Sequence, residues 1–144
     1  MSAREETRTW EHFEHEADIG LRAQAPSREA LFEAMAAALT AVVTEPSLVR
    51  PEKELSIHCE APDDALLLVD WLNALIYEMA TQGMVFGAWR VDLDGQRLDA
   101  RVRGEAVDRE RHQPAVEIKG ATYTALAVEK LPGGDWAGQC VVDV

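Results

Sequence analysis

Two long segments with helical periodicity, set between segments that alternate apolar and polar residues, most constrain the fold of this chain. Residues 30–43 carry large apolar side chains at helical spacing, behind Ser27 as a good N-cap and ahead of Pro46 as a breaker. Residues 62–83 open on a proline and two aspartates and end at Gly83, and they are apolar nearly all round. The pattern predicts two helices, and the second is expected to be the most buried element.

The other segments are typical of strands, and Asp94-Gly95 is typical of a hairpin turn between two of them. Alternation predicts strands at residues 10–15, 19–25, 55–59, 89–93, 98–102, 116–128 and 136–144. The polar residues 108–113 are predicted to form a loop. This order predicts an α+β fold, a single domain with two helices packed on one mostly antiparallel or mixed β-sheet. Residues 10–144 would form the domain, and residues 1–9 a flexible N-terminal segment.

Composition fits a globular domain in a reducing compartment. The 144 residues are 47% hydrophobic, but no apolar stretch reaches the roughly 20 residues that cross a bilayer. The first residues lack the apolar run of a signal peptide, so a cytoplasmic location is expected. Cys59 and Cys140 have no metal-ligand spacing and are predicted to be small core residues.

The formal net charge of -12 limits the partners of this chain. Non-specific nucleic-acid binding depends on Lys and Arg neutralising phosphates, so direct nucleic-acid binding is not expected. The negative charge instead favours a cation or a basic protein as partner. Most of the acidic residues, however, serve only to keep the protein soluble.

Three carboxylates are the candidate cation ligands. Asp18 lies in the turn between the first two predicted strands, and Asp143 precedes Val144 with its terminal carboxylate. Carboxylate oxygens suit hard cations such as Ca²⁺ or Mg²⁺. Aspartate is also common in turns and at solvated strand ends, so a purely structural role stays open for both side chains.

Other residue types point to binding more clearly than to catalysis. Lys119 lies in the predicted strand 116–128, where it would either snorkel to the surface or face a phosphate or a partner's carboxylate. No histidine pattern predicts zinc, and there is no glycine-rich phosphate loop or Gly-x-Ser-x-Gly elbow. Asp70, Asn73 and Glu78 are polar exceptions in the second helix; they are predicted to mark its exposed edge, although one of them could line a site.

Several segments together resemble the archease family. The segment HEADIG, from His15 to Gly20, resembles the family's His-Thr-Ala-Asp signature, with Glu16 in place of the threonine. Further resemblances cover the two helices, the pair Gly104-Glu105 with His112, and the segment EIKGATY at residues 117–123. The match runs from about residue 10 to residue 144. Two more departures are Gly120 in place of an alanine and Thr124 in place of a frequent histidine, so no role is carried onto Thr124.

The resemblance implies an accessory protein of the RtcB-type RNA ligase rather than an enzyme. Archeases promote guanylylation and turnover of that ligase, which joins RNA ends in tRNA splicing and RNA repair. The family binds a divalent cation, reported as calcium, and the matching positions here are Asp18, Asp143 and Val144, with Mg²⁺ or Mn²⁺ as further possibilities. Lys119, His15 and Glu105 are the residues associated with the partner and with function.

Two other hypotheses remain open at this point. One is a metal-dependent enzyme acting on a phosphate ester with two carboxylates, a metal and a lysine. The other is a chaperone-like binding module whose cation is only structural. The sequence does not determine the oligomeric state, the physiological metal or the RNA that the partner joins.

Overall fold

The computed structural model describes residues 9–144. The predicted flexible segment 1–9 therefore lies outside the described residues except for its last member, which begins the first strand. The elements in chain order are β1 (Thr9–His15), β2 (Asp18–Ala25), α1 (Arg28–Val43), a 3₁₀ turn (Pro46–Leu48), β3 (Lys53–Glu60), α2 (Asp64–Gln82), β4 (Met84–Asp94), β5 (Arg97–Ala106), α3 (Arg109–His112), β6 (Gly120–Ala121), β7 (Ala127–Lys130) and β8 (Trp136–Asp143).

The predicted α+β class and single domain are confirmed, but the strands form two sheets rather than one. The larger sheet has the order β1-β2-β8, with β6 and β7 both pairing with the far edge of β8. The smaller sheet has the order β3-β5-β4. All the pairings are antiparallel. None of the helices in the described part of the chain combines the length and apolar character that a membrane crossing needs.

The prediction that the second long helix is the most buried element is wrong. Twelve of the 16 residues of α1 are buried, against seven of the 19 residues of α2. The reason is that α1 packs against β2 and β8 of the larger sheet and also against β4 of the smaller one. Its small alanine side chains let backbone approach on both sides, and the buried Glu33 carboxylate accepts a hydrogen bond from the Val91 N–H on β4 at 2.9 Å.

The helix ends follow the sequence signals closely. Ser27 accepts a hydrogen bond from the Ala30 N–H, and Asp63 accepts one from the Leu66 N–H, so both are N-caps. Gly83 ends α2 in the left-handed conformation at φ 63°, which glycine adopts without a steric cost. These local signals set where the two long helices begin and end.

Two predicted segments differ from the structure. The predicted strand 116–128 is broken into β6 and β7, and the pairing register with β8 shifts by three residues between them. The intervening residues form a bulged loop in which Ala125 has φ 54° and its carbonyl oxygen accepts a hydrogen bond from Gln139. The predicted loop 108–113 contains the short helix α3, because Asp108 caps its first N–H groups.

Candidate functional site

Two aspartates meet at one end of the larger sheet. Ile19 on β2 pairs with Val142 on β8, and extending this register by one residue places Asp18 across from Asp143. Val142 is fully buried and faces the core, so the alternation along each strand turns both aspartates to the outer face. Sequence reasoning placed these two residues at one site, and the strand pairing brings their backbones side by side.

His15 completes the same row of the sheet. It lies across from Asp18 in the pairing of β1 with β2, and the connection between these two strands is only two residues long. Glu16, the first residue of that turn, has φ 56°, which a non-glycine residue adopts uncommonly. The tight turn fixes which side chain of β1 stands beside Asp18.

The aspartate pair has an unbalanced charge in the described part of the chain. Neither Asp18 nor Asp143 has a hydrogen-bond or ion-pair partner for its side chain there. Like charges on neighbouring strands repel, and this repulsion raises the free energy of the folded state. A cation or a basic side chain placed between the two carboxylates would remove that cost.

The donor set fits a hard cation only with additional oxygens. Within residues 9–144, no three His, Cys, Asp or Glu side chains come close enough together to hold a metal ion. Ca²⁺ takes six to eight oxygen ligands, which include main-chain carbonyls and water as well as carboxylates. The chemistry of Asp18 and Asp143 therefore suits such an ion if main-chain oxygens or water complete its coordination.

Lys119 lies beside this row, but not inside a strand as predicted. It is exposed and immediately precedes β6, and its backbone N–H donates to the Asp143 carbonyl oxygen at 2.8 Å. Gly120, the next residue, pairs with Asp143. The backbone of Lys119 is thus tied to the strand that carries the candidate ligand, and its amino group is available at the surface.

Asn73, one of the polar exceptions in α2, contacts the strand that follows Lys119. Its side-chain oxygen accepts a hydrogen bond from the Ala121 N–H at 2.8 Å. Its side-chain nitrogen donates to the Ala121 carbonyl oxygen at 3.5 Å. Helix α2 thereby holds the outer edge of β6, the strand that follows Lys119. The available signal was a polar side chain within an otherwise apolar helical segment.

Glu105 lies in a separate cluster and makes no hydrogen bond to the row of aspartates. Its buried carboxylate accepts a hydrogen bond from the Arg50 N–H at 2.6 Å and from both terminal nitrogens of Arg111. These hydrogen bonds, that from Arg111 first, hold the pKa of Glu105 well below its usual range. The sequence offered no signal for Arg111, because only the fold brings it to Glu105.

His112 joins the same cluster in a defined tautomer. It is 2% exposed, and its Nδ1 accepts a hydrogen bond from the Asp108 N–H at 2.8 Å. The proton therefore lies on Nε2, which faces a Glu105 carboxylate oxygen at 3.1 Å. The cluster fixes α3 and the start of the long irregular segment that leads to Lys119.

An apolar cavity of about 230 Å³ lies under that segment. Its walls come from the end of α1, the last turns of α2, β4 and the irregular segment, and they include Val43, Met79, Val116 and Ile118. Since Ile118 immediately precedes Lys119, the cavity lies close to the candidate site along the chain.

Both cysteines are buried and free, as expected for small core residues. Burial raises the pKa of each thiol to about 11, so neither is a thiolate at neutral pH.

His12 contacts the Ala38 carbonyl oxygen through Nε2 at 2.8 Å and so joins β1 to α1.

The sequence profile of the Archease protein family (MTH1598/TM1083) matches residues 10–144. The chain is 39% identical to Protein archease of Thermococcus gammatolerans over 141 residues, which cover 95% of this chain and 99% of that protein. Protein archease of Pyrococcus furiosus is 38% identical with the same coverage. Protein archease of Methanosarcina mazei is 35% identical over 142 residues, covering 94% of this chain and 95% of that protein.

Two solved structures share the fold. The solution structure of Protein 1598 of Methanobacterium thermoautotrophicum has a TM-score of 0.76 at 26% identity, covering 94% of this chain and 98% of that one. The crystal structure of an archease from Thermotoga maritima, described as a possible chaperone, has a TM-score of 0.57 at 22% identity. That alignment covers 92% of this chain and 94% of the other.

Proposed function

This chain belongs to the archease family, and from that membership we propose that it activates an RNA ligase of the RtcB type. In this role it promotes guanylylation and multiple turnover of the ligase in tRNA splicing or RNA repair. The observation that carries the proposal is the row of His15, Asp18 and Asp143 at the end of the larger sheet, with Lys119 beside it.

A divalent cation, best matched by Ca²⁺, belongs to this proposal. Asp18, Asp143 and the Val144 carboxylate would hold it, with Mg²⁺ or Mn²⁺ as alternatives. The support is the chemistry of the donors and the repulsion between two unpaired carboxylates on neighbouring strands. When bound, the cation would supply positive charge at an acidic surface.

Charge and exposure support docking on the ligase. A net charge of -12 suits a basic, RNA-binding partner, and complementary charge speeds encounter. Lys119 and His15 would contact the partner beside the cation, and Glu105 would act from a distance by holding α3 and the segment before Lys119. The protein would act in the cytoplasm as an accessory factor, without a catalytic apparatus of its own.

The test is a guanylylation assay of the RtcB-type ligase from the same organism, with and without this protein. We expect stimulation by the wild type and its loss in Asp18→Asn and Asp143→Asn. Asp135→Asn is the matched control, because Asp135 is exposed near the opposite end of the same sheet and its side chain accepts a hydrogen bond from Gln24 at 3.2 Å. No stimulation by the wild type would refute the proposal.

A chaperone-like module with a structural cation is the second candidate. The description of the Thermotoga maritima archease as a possible chaperone favours it. It predicts that a chelator lowers the melting temperature by removing a ligand of the folded state, yet leaves stimulation of the ligase intact. A stand-alone phosphate-ester enzyme would instead turn over substrate without any partner.

A further inference from the structure

Two arginines lie directly across from each other on the smaller sheet. In the pairing of β4 with β5, Arg90 is the partner of Arg101, and Ser56 on β3 lies on the other side of Arg101. Their neighbours Val91, Ala100 and Ile57 are buried, so the alternation turns this row to the outer face. The outer face of a sheet without a covering helix is open to solvent.

The other arginines of this sheet have carboxylate partners, but this pair has none. Arg103 pairs with Glu54 at 3.0 Å and Arg97 pairs with Glu60 at 3.2 Å. Within residues 9–144, neither Arg90 nor Arg101 makes an ion pair or a side-chain hydrogen bond. Two like charges across a strand pair are unfavourable, and this chain has 26 acids from which a partner was available.

The acidic side chains nearby do not neutralise the pair. Asp99 and Asp92 form the next row of the same face, about 7 Å along the strands, and Asp99 binds His58 at 2.8 Å. Glu54 is engaged by Arg103. Within residues 9–144, Asp92 makes no ion pair with either arginine, so the guanidinium donors of the pair stay open to a ligand.

A hollow lies at the arginine pair. It has a volume of about 320 Å³ and is lined by Glu54, Ala88, Trp89, Arg90, Arg101 and Arg103. The small side chain of Ala88 across from Arg103 keeps the hollow open. Because guanidinium groups only donate hydrogen bonds, a ligand of both groups must be an acceptor, and one with several oxygens can accept from both at once.

We propose that this hollow binds one phosphate monoester group between Arg90 and Arg101. A planar guanidinium can donate two parallel hydrogen bonds to the oxygens of a phosphate. Two guanidinium groups can therefore donate to a phosphate dianion from two sides. The phosphate can belong to a mononucleotide or to the 5′ end of an RNA. The site lies on a different sheet from the aspartate row and does not rest on the proposed function.

The net charge does not oppose this site. Binding along an RNA backbone needs many phosphate contacts over a basic surface, which a chain of net charge -12 does not offer. A single phosphate held by two arginines requires only a local positive charge. The site therefore recognises one phosphate group, with little dependence on the rest of a polynucleotide.

The test is a titration of the full chain with inorganic phosphate, followed by NMR of the arginine Nε–H groups. Ionic strength is held constant with sodium chloride. We expect saturable shifts at Arg90 and Arg101, and binding at least tenfold weaker in the double variant R90Q/R101Q. R97Q is the matched control, since it removes an arginine of the same sheet that already has a partner, and it should bind phosphate as the wild type does.

Two further measurements, of melting temperature and of competition by nucleotides, make the result decisive. The double variant should have an equal or higher melting temperature than the wild type, because it loses a repulsion; a lower one would indicate a structural pair and overturn the proposal. Adenosine monophosphate and a 5′-phosphorylated RNA oligomer should each displace inorganic phosphate, and the tighter one identifies the source. Equal shifts with chloride alone, or in all variants, would also overturn the proposal.

Discussion

The side chain of Asn73 contacts both main-chain polar groups of Ala121. It accepts from the Ala121 N–H at 2.8 Å and approaches the carbonyl oxygen at 3.5 Å as a donor. An edge strand otherwise leaves such groups unpaired. In β6 the Asn73 side chain makes the hydrogen bonds to Ala121 that a neighbouring strand would make. The segment that presents Lys119 is therefore held from two sides, by Asp143 on β8 and by Asn73 on α2.

Asn73→Ala should loosen β6 without unfolding the domain. Losing this hydrogen bond is expected to cost about 1 kcal/mol of stability, because the exposed edge can rebind water. Amide hydrogen exchange should rise at Ala121, while exchange in α1 stays unchanged. Asp70→Ala, an exposed change one turn earlier in α2, should leave Ala121 protected. Equal protection of Ala121 in both variants would contradict this account.

Glu105→Gln should make the protein less stable than the wild type at neutral pH, by a margin that narrows in acid. The pKa of Glu105 is lowered in the folded state, so its charge stabilises the fold above the usual carboxyl value of 4.5. This stabilisation is lost as the pH falls below 4.5 toward the folded-state pKa. Urea unfolding of both proteins across pH 3 to 7 measures the difference, which should shrink steadily below about pH 4.5. A difference that is independent of pH would refute the ionic role.

His58 should titrate above its ordinary value of 6.5, since its ring bonds Asp99 at 2.8 Å and Glu60 at 3.2 Å. Asp99 is the main cause of the raised pKa, so Asp99→Asn should lower it more than Glu60→Gln does. The ion pair stabilises the fold fully below pH 6.5 and loses its effect as the pH rises through the raised pKa. An NMR titration of the histidine ring protons tests the order of the two variants.

Gly20→Ala should displace the ring of Phe13. A Cβ built at Gly20 would lie 2.2 Å from that ring, whose face also carries the Arg22 guanidinium at 4.4 Å. Overpacking of this kind typically costs about 1–3 kcal/mol. The melting temperature should fall, whereas Gly133→Ala, with no atom within 4 Å of its added Cβ, should change it little. Equal melting temperatures would show that the Phe13 ring moves freely.

Calcium should bind with its affinity set by the aspartate pair. Calorimetry is expected to show one site in the wild type and at least tenfold weaker binding in Asp143→Asn and Asp18→Asn. Calcium should also raise the melting temperature of the wild type, as any ligand of the folded state does. Asp135→Asn should bind like the wild type. Wild-type affinity in both site variants would place the cation elsewhere.

Local chemistry made much of this architecture predictable. Ser27 and Gly83 mark helix ends through interactions within a few residues, and the Asp94-Gly95 turn joins β4 to β5 with Gly95 at φ 59°. Apolar alternation likewise located β1 to β5 and β8 in the correct order, but it predicted one strand where the structure has β6 and β7. The division into two sheets was not predictable, because alternation records which face is buried but not which strand is the neighbour.

At the candidate site too, the residue types were predictable from the sequence, whereas the contacts between distant residues were not. Residue type and resemblance predict Asp18, Asp143 and Lys119 as site residues, and the strand pairing brings their backbones together, while their role stays a prediction. Arg111 had no local signal, since its partner Glu105 is reached only through the return of the chain after β5.

The sequence by itself determined the class of the fold, the ends of its two long helices and the residue types of the candidate site, because these follow from propensities and periodicity over a few residues. Only the tertiary structure decided that α1 is the shared core of two sheets, that segment 116–128 breaks at a bulge, and that Arg90 faces Arg101. These features depend on contacts between residues far apart in the chain, where register and burial follow from how all the elements pack at once.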